Sequence, residues 1–171
     1  MSVAAEFPVG VPSDGMIKVA FVASLADASE VTLSELSAST SVDATCYLSS
    51  FTPSADAQSI EDRRLCTKQV FEDYGSVTYT IGDITYVYDT QNPSGTDNKL
   101  YAALPTGTEG FLVVAWGKDA DEAWAAGDVV DIYPVKMGPR VKQPPEQNSK
   151  LKVTQKPFVT GPVTEDFALT A

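Results

Sequence analysis

Residues 76–88 read SVTYTIGDITYVY, and this stretch gives the strongest indication of the fold. Up to Ile81 the apolar residues alternate with Ser and Thr, and the alternation resumes at Ile84 after the Gly82-Asp83 step. Because successive side chains of a β-strand point to opposite faces, the pattern predicts two strands that are each buried on one side. The Gly-Asp step predicts either a β-bulge or a tight turn between them.

Five further segments have the composition and length of strands, and turn-rich sequence separates them. The predicted strands are Met16 to Val22, Ala44 to Ser49, Phe111 to Trp116, Val129 to Val135 and Leu151 to Thr160. The predicted turns include Thr52-Pro53-Ser54, Asn92 to Gly95 and Pro144-Pro145. Short strands with frequent turns predict a mainly β fold, with residues 1–171 forming a single domain of sandwich or barrel-like architecture.

Two short helices are expected to flank the sheet. Thr32 and Glu35 have the spacing of a capping box, in which each residue caps a backbone amide of the other. The segment from Asp97 to Leu104 places apolar residues at i, i+3 and i+4, with Asp97 as the predicted cap. Pro105 is expected to end that helix, because the residue before a proline avoids the helical conformation.

The chain contains no histidine, which restricts the chemistry open to it. Histidine is the usual general base, the commonest metal ligand and the partner of nucleophilic Ser and Cys. We therefore expect no enzyme, no catalytic residue and no cofactor. The sequence lacks the ~20-residue apolar stretch of a membrane-spanning helix. Glu6 also lies in the segment, Met1 to Pro12, where a signal peptide would be apolar, so we expect a soluble protein without an export signal.

Two small groups of residues have side chains that can bind metal ions. Asp119, Asp121 and Glu122 form the densest carboxylate group, but they lack the glycine and glutamate spacing of a calcium-binding EF-hand loop. We interpret them as a polar turn. Cys46 and Cys66 are too few for a zinc site, which needs about four ligands. Free cysteines are usually buried, so both are predicted to be core residues.

The charge is distributed unevenly along the chain. Residues 1–135 contain 20 acidic and 6 basic residues, a formal charge of −14, whereas residues 136–156 contain 6 basic residues and 1 acidic residue, +5. Three prolines and few apolar residues between Gly138 and Lys150 predict an extended basic connector at 136–156. We expect it either to be a solvated loop or to reach the acidic body of another copy, which would steer assembly. The candidate assembly residues are Lys136, Arg140, Lys142, Lys150, Lys152 and Lys156.

Several stretches together resemble a known family. The sequence VKMGPR at 135–140 is followed by PPEQN at 144–148 and by LKVTQKPFVTG at 151–161. Upstream, DRRLC at 62–66, ITYVYD at 84–89 and AGDVVDIYP at 126–134 occur in the same order. From about Val42 to Ala168 the chain resembles the major tail (tail tube) proteins of long-tailed bacteriophages, in particular those of actinobacterial phages.

The resemblance implies a β-sandwich or barrel with a flanking helix, the fold shared by tail tubes and the type VI secretion tube. It implies hexameric rings that stack into a tube through which double-stranded genome DNA passes without specific binding. The implied partners are further copies, a tape measure protein, and tail terminator and baseplate proteins. The implied location is the virion tail, after synthesis in the bacterial host cytoplasm. The alternatives are a tail terminator, a capsid decoration protein, or a carbohydrate-binding module using Trp116 and Trp124.

Overall fold

The computed structural model describes residues 8–171, which form a curled β-sheet, a long β-hairpin and two short helices. The strands are β1 (Ile17–Val22), β2 (Ser41–Asp43), β3 (Leu48–Ser50), β4 (Pro53–Arg63), β5 (Val70–Ile81), β6 (Ile84–Val87), β7 (Glu109–Trp116), β8 (Val129–Lys142), β9 (Lys152–Val159) and β10 (Thr164–Ala168). The helices are α1 (Leu33–Leu36) and α2 (Lys99–Ala103), the latter preceded by a 3₁₀ turn at Thr96–Asn98. The predicted mainly β fold with short flanking helices is confirmed.

The first seven residues, part of the segment from which the absence of an export signal was predicted, lie outside the described residues. From residue 8 onward, no helix combines the length and the apolar character that crossing a membrane requires.

The strands form one main sheet and one separate hairpin. The order in the main sheet is β2-β1-β7-β8-β9-β6-β3, and every neighbouring pair is antiparallel. The long strand β8 has β7 along one edge. Along its other edge, the first half of β8 pairs with β10 and the second half pairs with β9. The hairpin consists of β4 and β5, which pair with each other and with no other strand among the described residues.

The main sheet has a core on each side. One side, here called the front face, carries Phe21, Leu112 and Tyr133 and is covered by Leu100 and Leu104 around α2. The other side, the back face, carries a smaller set and is covered by Leu36 of α1 with Val31 and Leu169. That smaller set consists of Ala20, Val22, Val113, Ala115, Val130 and Ile132. Neighbouring residues of each strand therefore enter different cores, as strand alternation requires.

Most predicted elements occur where the sequence placed them, and the differences have physical causes. Strands β1, β6, β7 and β9 match within one or two residues, and the Thr32 capping box is present. Of the predicted strand from Ala44 to Ser49, only Leu48 and Ser49 lie in a strand, β3, and residues 44–47 form the turn between β2 and β3. Asp97 does not cap its helix, because the 3₁₀ turn begins one residue earlier, at Thr96, and neither N-cap residue makes a side-chain capping hydrogen bond to its helix.

The hairpin accounts for the largest error in the sequence analysis. Strand β4 was not predicted, and the prediction of a turn at Thr52-Pro53-Ser54 is wrong, because β4 begins at Pro53. The Gly82-Asp83 step is the point where the chain leaves the hairpin and enters the main sheet, with the Gly82 amide donating to the Thr52 carbonyl at 2.8 Å. The predicted alternation on β5 is nevertheless confirmed, since Ile81 is buried while Ser and Thr beside it are exposed.

A buried glutamine holds β8, β9 and β6 together at an irregular position of the sheet. The register of β8 on β9 shifts between Met137 and Arg140. At this shift the Gln155 side-chain amide donates to the Gly138 carbonyl at 2.8 Å and to the Leu104 carbonyl at 3.2 Å. The Tyr86 hydroxyl donates to Gln155 Oε1 at 3.0 Å. Since Gln155 is only 1% exposed, these bonds satisfy groups that water does not reach.

We predict that Gln155→Leu lowers the free energy of unfolding by about 1–3 kcal/mol, because it leaves buried hydrogen-bonding groups without partners. Gln147→Leu, the same change in the exposed turn between β8 and β9, is expected to alter it by less than about 0.5 kcal/mol. Urea denaturation followed by circular dichroism measures both. Equal effects of the two substitutions would contradict the role of the buried amide.

Two buried tyrosines make stability depend on alkaline pH. Burial raises the pKa of Tyr86 to about 12, and burial with the nearby Asp131 carboxylate raises the pKa of Tyr133 to about 12. In the unfolded chain tyrosine ionises near pH 10, so between about pH 10 and 12 the unfolded state loses protons that the folded state keeps. Stability is therefore unaffected by these groups below pH 10 and falls as the pH rises towards 12.

We predict that the double substitution Tyr86→Phe and Tyr133→Phe flattens the fall in unfolding free energy between pH 10 and about 11.5. Each group contributes up to about 1.4 kcal/mol per pH unit. Tyr74→Phe, at an exposed position, controls for the loss of a tyrosine hydroxyl. Guanidinium denaturation at a series of pH values measures the slope, and an unchanged slope in the double variant would disprove this assignment.

Candidate assembly surfaces

The structure separates the six candidate assembly residues into three places. Strand β8 extends to Lys142 and β9 starts at Lys152, so the stretch between the two strands is only residues 143–151, shorter than the predicted connector. Lys136, Lys152 and Lys156 point to the back face, whereas Arg140 and Lys142 lie against tyrosines of the front face. The remaining one, Lys150, is exposed in the turn.

Half of the back face has no covering layer. Over β1, β7 and the first half of β8 it is buried by α1 and the C-terminal residues, but over the end of β8, β9 and β6 it is open. On β9, Val153 and Gln155 are buried on the front side, while Lys156 and Phe158 are exposed on the back. We call this open area the bare face, and its residues are Thr85, Lys136, Val141, Lys152, Thr154, Lys156 and Phe158.

The bare face combines positive charge with exposed apolar surface. Val141 is 59% exposed and Phe158 is 51% exposed. Lys136 forms an ion pair with Glu109 on the neighbouring strand at 3.1 Å. Within residues 8–171, no carboxylate lies within 4.0 Å of the ammonium groups of Lys152 and Lys156. Two of the predicted lysines are therefore free to contact another molecule.

Arg140 is engaged inside its own subunit. Its Nε donates to the Leu104 carbonyl at 2.8 Å, and its terminal nitrogen donates to the Tyr101 carbonyl. The guanidinium also stacks 3.8 Å from the centre of the Tyr101 ring, which in turn stacks on Tyr88 at 4.0 Å. These contacts tie the end of α2 to β8. Sequence reasoning missed this role because a count of charges does not show which face of a strand a residue occupies.

The β4–β5 hairpin is the second unusual surface. The base of the hairpin packs on the main sheet through Ile81. Farther from the base, β4 packs mainly against β5. Large apolar side chains of its outer half face solvent, including Ile60 at 57%, Phe71 at 48% and Tyr74 at 71% exposure, with Leu65 fully exposed at the tip. Both outer edges of the hairpin lack a strand partner in the described chain. Exposed apolar groups and free strand edges are typical of surfaces that meet another protein.

The hairpin contains a bulge that fixes its outer half. The register shifts between Ala57 and Ser59, where β5 carries one residue more than β4. Gly75 occupies this position, and a Cβ there would lie 2.5 Å from the Gln58 carbonyl oxygen. Only glycine permits this approach, because real Cβ contacts are not that short. The bulge preserves pairing of the outer residues down to Arg63 and Val70.

Comparison with protein families identifies the family of the chain. The model of a family described as phage tail tube protein matches residues 4–171. The chain belongs to the phage tail tube protein family. It is thus a structural component of a bacteriophage tail, in a family that is structural rather than enzymatic. No curated protein matches the sequence significantly.

In this tail tube protein the two cysteines are not core residues. The prediction that Cys46 and Cys66 are buried is wrong, since both are exposed and free. Cys46 lies in the turn between β2 and β3, and Cys66 lies in the tip of the hairpin. The preference of free cysteine for the core is a statistical one, and here turn positions override it.

The acidic turn is held together by a lysine of the tail tube protein. Lys118 forms ion pairs with Asp128 at 2.9 Å and with Glu122 at 3.5 Å. Asp119 accepts a hydrogen bond from the Asp121 amide at 3.0 Å, as in a polar turn. In the part of the chain that the structure describes, no three His, Cys, Asp or Glu side chains are grouped to hold a metal ion.

The two tryptophans have different environments. Trp124 is partly buried against the back-face core, with the Lys18 ammonium 5.6 Å from its ring centre. Trp116 is half exposed and donates from Nε1 to the Asp131 carboxylate at 2.8 Å. Because Trp124 is committed to packing, the pair does not offer the open aromatic platform of a carbohydrate-binding module.

We predict that Arg140→Lys lowers the free energy of unfolding by about 1–2 kcal/mol, although the charge is kept. Lysine lacks the planar group that stacks on Tyr101 while donating to two carbonyls. Arg63→Lys, the same change on the exposed hairpin, is the control and should have an effect below about 0.5 kcal/mol. Chemical denaturation of the monomer measures the free energy of unfolding of both variants. Equal losses would contradict the role of the Arg140 contacts with Tyr101 and Leu104.

Proposed function

We propose that this tail tube protein self-assembles into hexameric rings and that the rings stack into the tube of a long-tailed bacteriophage. The observation that carries the proposal is the hairpin, whose outer half exposes Phe71 and Tyr74 and leaves two long strand edges unpaired. Leaving such edges open is a liability for a monomer, and they are expected to be covered in an assembly. Membership of the family supports the same reading.

Charge guides the assembly in this proposal. The chain up to Val135 has a formal charge of −14, and the free lysines are concentrated after it. A neighbour's acidic surface therefore meets Lys152 and Lys156 on the bare face, with Lys142 and Lys150 beside them. Lys136 contributes to the same positive field although Glu109 partly compensates it. Arg140 supports this surface by positioning β8 rather than by touching the neighbour.

The tube serves as the conduit for the genome. A subunit with a formal charge of −11 repels the phosphates of double-stranded DNA, so the duplex passes through the lumen without specific binding. We propose no catalytic activity and no cofactor. The further partners are a tape measure protein inside the tube and tail terminator and baseplate proteins at its ends. The subunits are made in the host cytoplasm and act in the virion tail.

The family match and the free hairpin favour the tube subunit over a tail terminator or a capsid decoration protein. A terminator or decoration protein adds to an existing structure and needs no contact that extends the assembly ring after ring. A hairpin with two open edges and a bare face on the same chain provides two different surfaces, which is what a repeating head-to-tail contact requires.

We predict that the purified protein forms tubes or stacked rings on concentration, and that replacing residues 58–76 by Asn-Gly abolishes them. Ala57 and Val77 pair directly, so a two-residue turn can join them without disturbing the base of the hairpin. Negative-stain microscopy and light scattering record assembly, and circular dichroism checks the fold. Growth should also slow between about 0.15 M and 1 M salt, where contacts between opposite charges weaken.

Tubes formed at the normal rate by the shortened protein would disprove the role of the hairpin. Failure of the full-length protein to form rings or tubes under any condition would disprove the proposed function.

A further inference from the structure

We propose that the outer half of the hairpin of one subunit docks on the bare face of a second copy, with Glu61 and Glu72 meeting Lys152 and Lys156. The inference rests on the proposed self-assembly and specifies the contact between copies. It names one face of the hairpin and one face of the sheet, and it assigns the partner as another copy of this chain.

The hairpin carries a pair of like charges that its own chain does not compensate. Glu61 and Glu72 lie directly opposite each other in the β4–β5 register. Like charges in this arrangement destabilise a strand pair. Both carboxylates are exposed, and neither has a Lys or Arg nitrogen within 4.0 Å among residues 8–171. A positive partner from outside would remove this repulsion.

Apolar groups flank the acidic pair on the same face of the hairpin. Directly opposed residues share a face, and alternate pairs along the strands return to it. The pairs next to Glu61 and Glu72 on this face place Tyr74 on one side and Val70 on the other. Arg63 lies opposite Val70, at the end nearer the tip. The face therefore presents two carboxylates between apolar side chains.

The opposite face of the hairpin is a weaker candidate. There Asp62 is already bound by Arg64, whose Nη2 lies 2.7 Å from the carboxylate. Asp73 and Asp56 are also on that side, but they are not directly opposite one another. Only the face with Glu61 and Glu72 combines two adjacent uncompensated charges with apolar neighbours.

The bare face carries the opposite charge. Lys152 and Lys156 are four residues apart on β9, so their Cα atoms are about 13 Å apart on the same side. Between and beside them are Thr154, Val141 and Phe158, of which the last two are exposed apolar groups. Apolar surface can thus meet apolar surface while the opposite charges pair around it.

A second copy is the fitting partner because its free cations are concentrated on and around this face. Away from this face, Lys18, Arg64 and Lys118 are paired with carboxylates and Arg140 is bound by the end of α2, whereas Arg63, Lys68 and Lys99 have no carboxylate within 4.0 Å among residues 8–171. The body of the chain is otherwise strongly acidic and repels the hairpin's carboxylates. A contact between two different surfaces of identical chains also repeats without limit, as a tube needs.

A charge-reversal experiment on the full-length protein tests the contact. The two reversed proteins carry Glu61→Lys with Glu72→Lys, or Lys152→Glu with Lys156→Glu, and a third protein carries all four changes. At about 0.15 M salt each double variant should grow tubes at least about tenfold more slowly than the wild type, because like charges then meet. The fourfold variant should recover to within about threefold of the wild-type rate.

The control is Asp56→Lys with Asp73→Lys, which changes the net charge by the same amount on the opposite face of the same hairpin. It should grow within about threefold of the wild-type rate, since it leaves the proposed contact intact. All altered side chains are exposed except that of Lys152, which is partly buried. Circular dichroism and a thermal melt of each monomer identify any variant that has lost its fold.

Three results would each overturn the docking contact while leaving tube formation in place, and they concern the glutamate variant, the fourfold variant and the control. One is normal growth of the Glu61→Lys and Glu72→Lys variant. Another is a fourfold variant that grows no faster than the double variants, and the third is a control that is as slow as they are. Absence of tubes in the wild-type protein would instead remove the proposed function on which the contact rests.

Discussion

The main sheet has two faces, and the chain covers one of them more completely than the other. On the front face, α2 and the base of the hairpin close the core around Tyr86 and Leu112. On the back face, α1 and the C-terminal residues reach only as far as the first half of β8. In a monomeric β-sandwich, residues like those of the long hairpin would form a second sheet that covers the first. The bare face and the projecting hairpin therefore have the same cause: residues that could cover the sheet form the hairpin instead.

The side chains of the bare face reflect this exposure. The hydroxyls of Thr85 and Thr154 lie 3.3 Å apart across β6 and β9, and Gln143 donates to Thr154 at 2.6 Å. These polar contacts let the sheet tolerate water where no second layer protects it. Phe158 and Val141 make no favourable polar contact with water. Leaving an apolar side chain exposed costs about 1–3 kcal/mol of free energy relative to burying it. The face is thus stable in the monomer but more stable when covered.

Alternation in the sequence predicted those strands that face a core, and it failed where no core lies beneath the strand. Strand β1 and the inner half of β5 were found because one side of each is buried. Strand β4 is exposed along nearly its whole length, so its residues had no reason to alternate. Its formation depends on pairing with β5, which a local pattern does not reveal.

The sequence analysis located the basic segment from its charge, but it predicted the wrong backbone structure for that segment. Counting charges located the basic segment, but Pro139 was taken as a sign of irregular structure. In the structure Pro139 falls within the register shift between Met137 and Arg140, a position where a missing amide does little harm to a strand. The alternation of Val153 and Gln155 with the lysines of β9 would have assigned the faces correctly. Tertiary contacts such as Arg140 on Tyr101 lie beyond any such pattern.

The net charge and the local charges act at different distances. Two copies, each with a formal charge of −11, repel one another when far apart, but salt screens this repulsion beyond about 10 Å at 0.1 M. Within that distance the local arrangement decides, and an approach that brings the lysines of β9 near a carboxylate is favourable. Charge therefore selects the orientation of approach, whereas burial of groups such as Phe158 and Tyr74 supplies most of the affinity. A strongly acidic subunit with a small basic face gains specificity from this combination, because most other orientations bring like charges together.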